Sequence, residues 1–111
     1  INGLYGYSTG GKIMIDSTQS INTQANTLIH EIAHELIHYT QEGRQFSKQE
    51  KEIQAEATTY VVTKALGLEN KSSHYLAFYS GDKNKILRSL EIISKNARQI
   101  LGALNWFQQN T

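Results

Sequence analysis

The sequence predicts a small α+β domain: a short β-hairpin, a helix built around His-Glu-x-x-His, a helix carrying two glutamates, and a C-terminal packing helix. Three observations carry that expectation. Tyr- and Ile-rich segments Leu4 to Ser8 and Lys12 to Asp16 flank Thr9-Gly10-Gly11, and glycines in so short a gap permit the positive φ of a tight turn. Apolar residues from about Thr23 to Tyr39 recur at helical spacing. A Ser-x-x-Glu capping signature, Ser47 to Glu50, opens a further helical stretch that Gly67 should stop.

Between hairpin and first helix, Asp16 to Asn26 is polar and reads as a loop, with Asn22, Thr23 or Asn26 as the cap. On a helical wheel Leu28, Ile29, Ile32, Ala33, Leu36 and Ile37 fill one half, wide enough to bury the helix. His30, Glu31, His34, Glu35 and His38 fill the other. Between Ile29 and Tyr39 that half has no Lys, Arg or Gln, so it reads as a cleft wall. The helix should end near Gln41-Glu42-Gly43, with Gly43 just beyond its last turn.

The second helix should run to about Leu66. Glu52, Glu56, Thr59 and Thr63 form a narrow seam on it, while Lys51, Gln54 and Thr58 lie opposite and read as the solvent side. Carboxylates that face inward are costly unless paired or bound to a cation. Glu69 to Gly81 should hold a short helix or turn. From Lys83, capped by Asp82, to about Leu104, the apolar residues Ile86, Leu87, Leu90, Ile93, Ala97, Ile100, Leu101 and Leu104 keep helical spacing.

Composition narrows the function classes. The 111 residues suit one domain. Eleven basic against ten acidic residues give a formal charge of +1, no footprint for nucleic acid. No apolar run approaches a membrane span. Without cysteine, any metal must be held by His, Asp and Glu. The chain begins at Ile1 and is expected to be part of a longer protein with covalently linked domains.

The chemistry is concentrated in His30-Glu31-Ile32-Ala33-His34. Residues four apart share a helix face, so His30 and His34 can aim their imidazoles at one ion, with Glu31 beside them to deprotonate a water. Catalytic zinc takes three protein donors. His38 is one turn further on, but eight residues of helix from His30 is about 12 Å. It is therefore expected behind the ligands or at the cleft rim. The third donor should come from the glutamate seam: Glu52 as ligand and Glu56 orienting a ligand histidine, with the reverse assignment open. His74, Tyr75 and Tyr79 are candidate donors to a developing oxyanion. A further expectation is that the strand before the helix offers its edge to an extended peptide.

The stretches TLIHEIAHELIHY and KEIQAEATTYVVTKALGL resemble the zincin-like metallopeptidase domain of mobile-element and phage polyvalent proteins, close to the ArdC-type antirestriction proteins. They are more distantly similar to the ImmA/IrrE peptidases. In the latter the second motif runs Glu-x-x-Ala-Asn or Glu-x-x-Ala-Asp, matched here by Glu52, Ala55 and Glu56. Only the first acid persists, which favours Glu52 as ligand. The resemblance implies a gluzincin-like fold, zinc dependence and a cytoplasmic bacterial setting, while the metal-and-base chemistry leads to the expectation of a peptide or protein substrate. The alternative is a catalytically silent zincin-fold accessory domain of an antirestriction or DNA-processing protein.

Overall fold

The computed structural model describes residues 5–70 and 83–110, so His74, Tyr75, Tyr79 and Asp82 lie outside it, as does the side chain of Ile86. Strands β1 (Gly6–Ser8) and β2 (Ile13–Ile15) pair antiparallel, with Tyr7 opposite Met14. Three helices follow: α1 (Ile21–Ile37), α2 (Lys48–Leu66) and α3 (Lys83–Asn110). The expected small α+β order of hairpin and three helices is what forms.

Gly10 and Gly11 turn the hairpin at φ 87° and 135°, where a side chain would be strained. The turn is also an anchor. Its two N–H groups donate to the carboxylate of Glu35 on α1, at 2.8 and 2.7 Å. Tyr39 packs its ring under Gly10 and donates its hydroxyl to the carbonyl of Ser8 at 2.7 Å. At the other end of the hairpin, a Cβ on Gly6 would meet Thr27 Cγ2 at 2.7 Å. The hairpin is thus fixed along α1 by one ion-accepted turn and one close backbone approach.

Helix α1 starts earlier than expected. Ser20 caps it, accepting from Thr23 N at 3.1 Å, so none of Asn22, Thr23 and Asn26 is the cap. It also ends earlier, with His38 as C-cap. Gly43 belongs to a following short 3₁₀ turn and has no positive φ. Its requirement is space: a Cβ there would lie 1.7 Å from the carbonyl oxygen of Ile37. Gly43→Ala should therefore lose about 2–3 kcal/mol through a backbone shift. Gly102→Ala on α3 meets nothing within 4 Å and should be neutral or gain up to about 1 kcal/mol. Urea unfolding midpoints of the two variants check both signs.

Helix α2 carries the expected capping box, Ser47 with Glu50, and ends at Gly67 with φ 77°. It is sandwiched between α1 and α3. Ala33 and Ala55, both without exposed surface, let α1 and α2 approach closely. Ile29, Val62, Ala97 and Ile100 form the core between the three helices. The sandwich overturns one expectation: Gln54 and Thr58 are fully buried, not on a solvent side. Thr58, Thr59 and Thr63 tolerate burial by donating their hydroxyls to carbonyls one turn back, at 2.7–2.8 Å. Leu28, placed on the apolar half by the wheel, is 43% exposed.

Candidate metal centre

Helices α1 and α2 bring the two motifs together across the narrow alanine contact. His30 Nε2 and His34 Nε2 lie 3.1 Å apart. Glu52 Oε2 is 3.1 Å from the first and 3.3 Å from the second. Among the described residues these three form a set whose donor atoms all fall within 4.8 Å of one another.

The triangle has the size a metal demands. Tetrahedral bonds of about 2.0–2.1 Å put neighbouring donor atoms about 3.3–3.4 Å apart. Two imidazole nitrogens and a carboxylate oxygen, all converging at that spacing, fit a borderline-soft divalent ion. Two Nε2 lone pairs turned inward beside a carboxylate oxygen repel one another, which a cation between them would relieve.

Both rings are held from behind. His30 Nδ1 lies 2.7 Å from Glu56 Oε1, so Nδ1–H donates to the carboxylate and the neutral ring keeps its lone pair on Nε2. Glu56 thus meets the far nitrogen of His30, while Glu52 meets the inward ones. His34 Nδ1 is 2.8 Å from His38 Nδ1, and His38 Nε2 is 2.8 Å from Gln54 Oε1. His38 is buried in the core at 4% exposure rather than standing at the rim. Phe46 packs against the His38 ring edge-on.

The electrostatics describe a cluster in want of a cation. Burial alone would lower the His30 pKa, but hydrogen bonds and charge from Glu52 and Glu56 raise it to about 9. Burial works against the Glu52 carboxylate, yet His30 and His34 hold it far below the usual range. Burial pushes His38 down to about 4, outweighing its bond to Gln54, so that ring is neutral at pH 7. In the metal-free chain a proton on His30 supplies the missing charge, and an arriving ion must displace it. Zinc added to the metal-free protein in weak buffer at pH 7 should release about one proton per chain, and affinity should fall as pH falls. A pH-stat titration reads this, and zinc uptake without proton release would contradict it.

Glu31 is 4% exposed and lines a cavity of about 490 Å³ together with His30, Glu52, Glu56, Gly6 and Asn26. The wheel placed it at the edge of a cleft-facing half, and the fold puts it at the cavity's inner wall. The signal missed in the sequence is Gln54, whose type and position suggested solvent. Only its coverage by α3 reveals it.

No helix among the described residues is long and apolar enough to cross a membrane. Comparison with curated proteins and with solved structures returned no match. The profile of the IrrE N-terminal-like domain, a peptidase family, matches residues 2–88. That span includes both motifs and every residue of the cluster. It is the relationship that the sequence resemblance placed at the greater distance. With most of the chain covered, the protein belongs to the IrrE N-terminal-like domain family of peptidases.

Proposed function

We propose that this chain is a zinc-dependent metallopeptidase domain of zincin type, hydrolysing peptide bonds. The observation that carries the reading is the donor triangle of His30, His34 and Glu52, set in a cavity that Glu31 lines. A zinc ion held there would supply Lewis acidity, acidifying a water and polarising a substrate carbonyl. Glu31 takes the water's proton and passes it to the leaving amine. A buried carboxylate next to the donors suits that shuttle, because bulk water does not compete for its lone pairs. Glu56 and His38 keep the imidazoles turned inward.

The hairpin supports a peptide as substrate. The closing bonds Thr9 N to Lys12 O and Asp16 N to Tyr5 O fix the alternation of the ladder. Gly6 and Ser8 therefore turn their backbone groups away from β2. The Ser8 carbonyl is taken by Tyr39, whereas Gly6 borders the cavity. An extended peptide that pairs with Gly6 would lie across the donor triangle. We assign the domain to a cytoplasmic, mobile-element or antirestriction-like protein with linked domains, on the resemblance of the two motif stretches. The formal charge of +1 supports a role without direct nucleic-acid binding.

Elemental analysis of the purified chain tests the reading. About one zinc ion per chain is expected. No bound metal after zinc has been supplied would overturn it.

A further inference from the structure

Gln54 is a fully buried amide in the middle of α2, 16 residues from the histidine it meets and not among the residues that line the cavity. A buried amide needs partners for both its oxygen and its nitrogen. Its Oε1 is 2.8 Å from His38 Nε2, and its Nε2 donates to Ser89 Oγ on α3 at 3.4 Å. Oε1 only accepts, so His38 must carry its proton on Nε2. Its Nδ1 is then an acceptor, and the ring nitrogen it faces at 2.8 Å, His34 Nδ1, must be the donor. A neutral imidazole with its proton on Nδ1 has a lone pair on Nε2. That is the atom His34 turns toward His30 and Glu52.

The chain of contacts has a second self-consistent direction. With the amide reversed, Gln54 would donate to His38 Nε2, His38 Nδ1–H would donate to His34 Nδ1, and the His34 proton would sit on Nε2. That hydrogen would point into the donor triangle and oppose a metal. The orientation of one buried amide therefore biases how well the site can bind an ion. Gln54 turns its oxygen to His38 and its nitrogen to Ser89 Oγ, which is the permissive direction.

We infer that Gln54 and His38 are positioning residues that fix the tautomer of His34, and with it the lone pair that His34 offers to a metal. The inference rests on the metal reading of the His30, His34 and Glu52 cluster.

The test measures zinc affinity by chelator competition and ring tautomers by ¹⁵N NMR in His38→Leu, His38→Asn and Gln54→Leu, with folding checked by backbone amide spectra. Asn places its Oδ1 where His38 Nδ1 stood and can still accept from His34, whereas Leu of similar shape cannot. His38→Leu should weaken zinc binding about 10–100-fold, Gln54→Leu about tenfold, and His38→Asn no more than about threefold. In the metal-free wild type, His38 should carry its proton on Nε2 and His34 on Nδ1. Equal affinities for folded wild type and His38→Leu would overturn the inference while leaving the metal site standing. So would a proton found on His34 Nε2. A folded His38→Asn as weak as His38→Leu would also overturn it, because shape and not acceptor character would then matter. A wild type that binds no zinc would overturn the metal reading and this inference together.

Discussion

Glu52→Ala is expected to abolish stoichiometric zinc binding, while Glu56→Ala retains the ion with weakened affinity. The two glutamates are one helical turn apart on α2 and similarly half-exposed, with 34% and 38% of their side chains accessible. Composition and exposure cannot separate them, but geometry does. Glu52 Oε2 touches both inward nitrogens, and Glu56 touches the outward nitrogen of His30. Loss of an orienting partner typically costs about 10–100-fold in metal affinity, and loss of one of three donors should exceed that. Neither truncation opens a core void, since both side chains stand at the cavity. Elemental analysis and chelator competition on the two variants check the order. Zinc retained in Glu52→Ala and lost in Glu56→Ala would reverse the assignment.

Glu31→Gln should eliminate turnover without displacing the metal. The substitution keeps the volume and planarity of a side chain that is 4% exposed, and removes only its capacity to take and return a proton. General acid–base catalysis contributes about 10²–10⁴-fold, equivalent to about 3–5 kcal/mol of barrier. The loss should therefore appear in kcat on a peptide-library substrate cleaved by the wild type, with zinc content unchanged. Wild-type rates in the variant would show that Glu31 carries no proton. Wild-type biological function without any cleavage would make the domain an accessory scaffold.

Local chemistry was enough to place most of the elements. The glycine pair of the hairpin, the Ser47–Glu50 capping box and the Gly67 stop each act over a few residues, so their sequence neighbours suffice to read them. The four-residue spacing of His30 and His34 likewise needs only the helical repeat. Boundaries of α1 were harder, because several polar residues compete as caps and Ser20 prevails only in the folded chain. Gly43 shows the same limit from the other side. Its glycine answers to Ile37, a contact made after the chain has doubled back.

What the sequence determined by itself is the inventory of donors and the helix face on which the two histidines meet. The tertiary structure decided how the remaining side chains divide between cleft and core. Helix α2 is covered on two sides, so its polar residues lie on buried faces and no amphipathic stripe marks them. Gln54 and Thr58 therefore read as solvent-facing and are instead without exposed surface. Pairing of Glu52 with the inward nitrogens, of Glu56 with the outward nitrogen of His30, and of Gln54 with His38 depends on the register between α1 and α2. That register is set by close contact at Ala33 and Ala55, a packing constraint between residues distant in sequence that no local pattern encodes.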